Sequence, residues 1–182
     1  MRKSDARVRY TKRVLKEAFL TLLKEKPVTR ITVREVCDLA DVNRSTFYTH
    51  YHDCFDLQEN IENELLEEFG SSLRFIRVSD VPSLIEGIYL MVENHEEACR
   101  VLIFSGASPS ILSRMIDLAR ESTINAWRAR LPKASEKDLE MLYTHLSTGL
   151  MNVVVSGYDK YDREEIIRFV NSIVNASLSL YE

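Results

Sequence analysis

The chain has 182 residues, 45% hydrophobic and 29% charged, with a formal net charge of −4; this is the balance of a globular protein able to bury a core. With 5 Gly and 4 Pro, a strand-and-turn architecture is disfavoured and long helices are expected. The three cysteines, Cys37, Cys54 and Cys99, lack Cys-x-x-Cys spacing and point away from a disulfide frame or a zinc site.

Charge is unevenly distributed. Residues 1–52 hold 12 Lys and Arg against 6 Asp and Glu, a net +6, and residues 53–182 hold 12 against 22, a net −10. A basic head on an acidic body is the asymmetry expected when only the head meets phosphate. The N-terminus lacks an apolar signal core and no apolar run reaches membrane-spanning length, so a cytoplasmic protein with no membrane partner is expected.

Met1 to Tyr10 carries Arg2, Lys3, Arg7 and Arg9, which read either as a frayed, solvated end or as a basic arm along the DNA backbone or minor groove. From about Thr11, Val14, Leu15, Ala18, Phe19, Leu22 and Leu23 recur at helical spacing, and this first helix ends before Pro27. Thr32 and Glu35 make a Thr-x-x-Glu capping box for a second helix with Val33, Val36, Cys37 and Ala40 on one face. Ala40-Asp41-Val42 is a tight turn, and Asn43 is the candidate N-cap of the next helix. That helix carries Arg44, Ser45, Thr46, Tyr48, Thr49 and His50, with Phe47 and Tyr51 spaced to anchor it inward. A short helix rich in hydrogen-bonding side chains and pinned by aromatics suits the major groove. Asn43, Arg44, Ser45 and Thr46 lie at the end from which side chains reach base edges, and Arg34 can reach a base or a phosphate. Thr32, Tyr48, Thr49 and His50 are better placed for phosphates, which position without reading sequence.

The run Ile31-Thr-Val-Arg-Glu-Val, then Ala40-Asp-Val-Asn-Arg-Ser-Thr-Phe-Tyr, then His50-Tyr51 and Asp53 with Leu57, resembles the DNA-binding domain of the tetracycline-repressor (TetR) family over roughly Thr11 to Ile61. The resemblance implies phosphate roles for Tyr48 and His50. Two positions depart from the family pattern: Asp41 stands where Gly is usual in the turn, and Cys54 where Lys is favoured. Asp tolerates the left-handed conformation better than most residues, so the turn is expected to survive; one backbone contact goes with the missing lysine.

Beyond the head, Asp53 can cap a fourth helix with Leu57, Ile61, Leu65, Phe69 and Leu73 inward and Glu59, Glu62, Glu64, Glu67 and Glu68 outward. Ser79-Asp80-Val81-Pro82 starts a fifth, with Leu84, Ile85, Ile88, Tyr89 and Val92 inward, and Glu96 to Phe104 is a short sixth. Ser108-Pro109 reads as the Ncap–N1 start of a seventh, carrying Leu112, Met115, Ile116, Ala119, Ala126 and Trp127. Ser135 caps an eighth helix, Gly157-Tyr158-Asp159 turns the chain, and Asp162 caps the ninth. The last two have apolar faces wider than one partner helix requires, and small residues (Gly149, Ala176, Ser177, Ser179) permit close approach. They read as a homodimer interface, a four-helix bundle formed with a second copy, with Leu146, Leu150, Val153, Ile166, Val170, Ile173, Val174 and Ser177 as candidates; an internal core pair is the alternative.

An all-α protein of about nine helices is therefore expected: a three-helix helix-turn-helix DNA-binding domain over residues 1–54, and a helical ligand-binding and dimerisation domain over residues 55–182. The resemblance implies a cavity among the fifth to eighth helices, for which Tyr89, His95, Phe104, Met115, Trp127 and Tyr143 are candidate lining residues. The function expected is a transcriptional regulator, in the first instance a repressor, that binds a pseudo-palindromic operator and is released by a small, largely apolar ligand. No catalytic set, metal site or cofactor is indicated: His50 and His52 are two apart, and His95 and His145 are isolated and read as core or pocket residues. Cys54 near a helix start reads as a semi-buried side chain, with a redox-active thiol as the alternative. The competing readings are an activator without a small-molecule inducer, a helical interaction module, and an enzyme using Cys54 or the histidines.

Overall fold

The computed structural model of the chain describes residues 3–75 and 80–182; Arg2, the Lys3 side chain and Ser79 lie outside the described residues. Among them, regular structure is entirely helical. The α-helices are α1 (Lys3–Leu23), α2 (Val33–Ala40), α3 (Arg44–Tyr48), α4 (Cys54–Phe75), α5 (Val81–Asn94), α6 (Glu96–Cys99), α7 (Ile111–Arg130), α8 (Glu136–Gly157) and α9 (Arg163–Leu178). The chain divides into two compact units, Met1–Leu65 with Glu97–Ser108, and Leu66–Glu96 with Pro109–Glu182. The division runs through α4, whose residues 54–65 belong with α1 to α3.

In the first unit, Leu15, Phe19, Leu20 and Leu23 of α1 are buried together with Val36 of α2, Phe47 of α3, and Leu57, Ile61 and Leu65 of α4. The helix α1 begins some eight residues earlier than its apolar periodicity suggests, so the backbone from Lys3 to Tyr10 is helix rather than extended arm. Ala6, Arg7 and Arg9 are good helix formers, and nothing before Thr11 breaks the pattern. Asp53 caps α4, accepting from Asp56 N–H on Oδ1 (2.9 Å), while Asp56 Oδ2 accepts from His52 N–H (2.8 Å). Glu62, expected on the outer acidic face, is buried and accepts from Gln58 Nε2 (2.8 Å). After α6 the chain widens into a π-turn over Arg100–Phe104, and Gly106 takes a left-handed φ of 75° to leave it.

In the second unit, Asp80 caps α5, its carboxylate accepting from Ser83 N–H (3.3 Å) and Oγ–H (2.6 Å). The helix α7 starts at Ile111, with Ser110 at its N-cap position, rather than at Pro109. Ser135 and Asp138 make a capping box for α8, and Asp162 and Glu165 one for α9, as their spacing predicts. The helices α5 and α9 are joined through Arg163, which ion-pairs with Glu86 (3.0 Å) and Glu93 and lies 4.4 Å over the Tyr89 ring; Tyr89 in turn stacks on Tyr158.

Candidate nucleic-acid interface

The head presents α3 through three local devices. The first is the capping box at α2: Thr32 Oγ1 accepts from Glu35 N–H (3.3 Å), Glu35 Oε2 accepts from Thr32 N–H (3.0 Å), and Lys26 Nζ donates to Glu35 Oε1 (2.5 Å). The Lys26 ammonium, then the Thr32 hydroxyl and N–H, hold the Glu35 carboxyl down at about 2 from its ordinary 4.5. The second is Asp41, which closes α2 in the left-handed region (φ 52°, ψ 46°), its N–H donated to Cys37 O. Asp is among the few non-glycine residues that visit this region readily, so the turn survives without the usual glycine. The third is the aromatic anchor: Phe47 is 0% exposed, Tyr51 5%, and their ring centroids lie 5.6 Å apart.

These devices leave the outward side of α3 free. Arg44, Ser45, Tyr48 and Thr49 are exposed, and Thr46 and His50 are half-buried, His50 edge-on to the Tyr51 ring. Asn43 sits at the N-cap position with extended backbone, but its side chain makes no capping bond; contrary to the capping expectation, that amide is available. The α-helix ends at Tyr48, so Thr49 and His50 belong to the following turn, and Thr49 Oγ1 donates to Ser45 O (3.0 Å). Thr32, expected to meet a phosphate, has its hydroxyl engaged in the capping box. Arg34 is exposed and pairs with Asp38 one turn along (3.4 Å). Lys12 of α1 was not among the expected site residues. Its Nζ lies 5.9 Å from the ring centroid of Tyr51, three residues beyond the end of α3.

Raising a helix-capping carboxylate's affinity for its proton must weaken the cap. Because the folded pKa of Glu35 is depressed, its contribution is complete above about pH 4.5 and is lost as pH falls through about 2. The Glu35→Gln variant is therefore expected to be less stable than the parent at neutral pH, with the gap closing toward pH 2, measured by urea midpoints across that window.

The second unit contains a cavity of about 100 Å³ that is open on one side. Of the candidate lining residues, Met115, Trp127 and Tyr143 line it, and Tyr89, His95 and Phe104 do not. Tyr89 is taken up in the α5–α9 contact, His95 closes the end of α5, and Phe104 belongs to the first unit, where Arg100 lies over its ring (5.7 Å). Leu146, Leu150 and Val174, candidates for the dimer interface, line the cavity in the single chain, and Ile166 and Val170 are buried in it. From the dimer set, Ile173 is exposed (47%) and Val153 and Ser177 are half-buried. The apolar side chains that α8, α9 and their flanks do expose are Met141, Tyr161, Phe169, Ile173 and Leu180. His145 is also exposed, not a core or pocket residue.

The cysteines are all buried. Burial is the largest cause that raises their thiol pKa values, that of Cys54 to about 11 and that of Cys99 to about 12. Such thiols are protonated at neutral pH and poor nucleophiles. Among the described residues no three His, Cys, Asp or Glu group as metal ligands, and no helix is long and apolar enough to cross a membrane.

No protein-family model matches the chain. Over 59 residues, 32% of the chain, it is 36% identical to the uncharacterized HTH-type transcriptional regulator YxbF of Bacillus subtilis (strain 168), a match that takes in 16% of that protein's length. A TetR transcriptional regulator from Streptococcus agalactiae 2603V superposes with a TM-score of 0.69 over 94% of this chain and 97% of its own, at 21% identity. The dihydroxyacetone kinase operon activator DhaS superposes with a TM-score of 0.60 over 94% and 98%, at 12% identity. The chain thus has the all-helical fold of TetR-type regulators, a helix-turn-helix head followed by a helical C-terminal part. At these identities it is the fold that is shared.

Proposed function

We propose that this chain is a DNA-binding transcriptional regulator of the TetR type. It acts as a homodimer on a pseudo-palindromic operator, and a small, largely apolar ligand in the cavity releases it. The observation that carries the reading is α3: Phe47 and Tyr51 hold it from beneath while Arg44, Ser45 and Tyr48 face solvent. A buried structural helix would not carry that outward side. Asn43, Arg44, Ser45 and Thr46 read base edges, with Arg34 reaching a base or a phosphate once it leaves Asp38. Tyr48, Thr49, His50 and Lys12 take phosphates, and Thr32 acts by fixing α2.

The functional head is residues 1–54, and residues 55–182 carry the ligand and the dimer contact. Exposed Phe169 and Ile173, one helical turn apart, with exposed Tyr161 beside Phe169, support a second copy of the chain as the cover of α8 and α9, since exposed apolar surface that clusters marks an interaction site. Two heads then occupy successive major grooves when their α3 helices stand about 34–36 Å apart. A ligand that favours another spacing needs a coupling of only ~1–3 kcal/mol to empty the operator.

The test is binding to DNA from upstream of the protein's own coding sequence, by gel shift at several salt concentrations. Arg44→Ala is expected to lose about 10–100-fold in affinity for the specific site, from the ~1–3 kcal/mol of a bidentate arginine–guanine pair. Parental affinity and selectivity in that variant would contradict the readout role, and binding indifferent to salt would contradict the phosphate contacts. Activation rather than repression is the second reading, favoured by the likeness to a regulator named as an activator. Deleting the gene separates the two: target transcripts rise if the protein represses and fall if it activates.

A further inference from the structure

The cavity's polar atoms define what it can hold. Tyr143 Oη donates to Ile116 O (2.5 Å), Ser147 Oγ to Tyr143 O (2.6 Å), and Thr123 Oγ1 and Ser122 Oγ to Ala119 O (2.8 and 3.1 Å). Asp80, the one carboxylate among the described lining residues, accepts from Ser83 N–H and Oγ–H. Trp127 differs: it is 5% exposed, lines the cavity, and its Nε1–H has no acceptor. An indole N–H can only donate, and a buried donor left without a partner costs about 1–3 kcal/mol. Among the described residues no lysine or arginine lines the space. Its volume of about 100 Å³ is below the roughly 150 Å³ of an apolar cavity that holds benzene.

We propose that the cavity binds an uncharged, compact, apolar molecule bearing one hydrogen-bond acceptor, such as a small cyclic or short-chain carbonyl compound, and that Trp127 Nε1–H donates to that acceptor. This rests on reading the cavity as the effector site. Among the described lining residues there is no cation to meet a carboxylate.

Cyclobutanone and methylenecyclobutane, both smaller than benzene, share a shape and differ in the acceptor. Each is titrated calorimetrically into the full-length parent and into Trp127→Phe, with far-UV circular dichroism as the fold control. Cyclobutanone is expected to bind the parent and to lose about tenfold in the variant, while methylenecyclobutane changes less than about twofold. Trp127 is the sole tryptophan, so parental emission gives a second readout that survives a misfolded variant: a red shift with cyclobutanone and none with methylenecyclobutane. Equal losses for both probes, no loss for either, no binding of cyclobutanone, an unshifted emission, or tighter binding of cyclobutylammonium would each overturn the proposal. All these titrations omit DNA. Their failure with operator binding intact removes the ligand class alone; their success with no DNA binding removes the regulator reading alone.

Discussion

Replacing Phe47 by alanine is expected to cost ~3–5 kcal/mol of stability and to abolish operator binding, although no proposed DNA contact is deleted. Phe47 is 0% exposed and sits against Tyr51 and Tyr48, with centroid separations of 5.6 Å to each. It is the one apolar side chain of the five-residue α3 that is buried. A helix that short has no independent stability, so its position is inherited from this anchor and from the turn at Asp41. Urea midpoints of the full chain give the cost, and gel shift gives the binding. A loss under about 1 kcal/mol, or retained operator binding, would mean that α3 is held by something other than its aromatic core.

Placing aspartate at both Phe169 and Ile173 is expected to leave the single chain folded and to make it monomeric. Both positions are exposed, at 56% and 47%, so the change costs the isolated chain little. In the proposed dimer it puts unpaired charge into a buried contact. A head that binds alone forfeits the gain from tethering two, and operator affinity is expected to fall by about 10²–10⁴-fold. Analytical ultracentrifugation reads the assembly, and the same gel shift reads the affinity. A dimer that persists would move the interface elsewhere. Val170→Asp is the contrast: Val170 is 4% exposed, and that variant is expected to unfold the chain itself.

The head was legible because its signals are local. Thr32 and Glu35 are three residues apart and make their bonds with no help from distant chain; Asp41 takes its left-handed turn; Phe47 and Tyr51 point inward from one helical face. The limits appeared where an outcome depends on a distant neighbour. Leu146, Leu150 and Val174 have the spacing of an interface, yet line a cavity, because periodicity says that a face is apolar and not what covers it. Tyr89 has the chemistry of a pocket residue, but its stack on Tyr158 and the guanidinium of Arg163 claim it for the α5–α9 contact. Glu62 stands in the middle of an acidic run and is nonetheless buried beside Gln58. Asn43 illustrates the opposite case: the residue type marks the N-cap position correctly, while its side chain is left unused by the protein. That spare amide is one of the groups the proposed readout needs.

The central claim is that α3 reads a major groove in each of two symmetry-related heads. Selecting sites from a random duplex pool with the full-length protein tests it most directly. The account predicts enrichment of an inverted repeat whose half-site centres lie about 10–10.5 base pairs apart or a multiple of that, with preference at the guanine position lost in Arg44→Ala. A pool that stays random after repeated rounds at moderate salt, or one enriched equally well by Arg44→Ala, would contradict it.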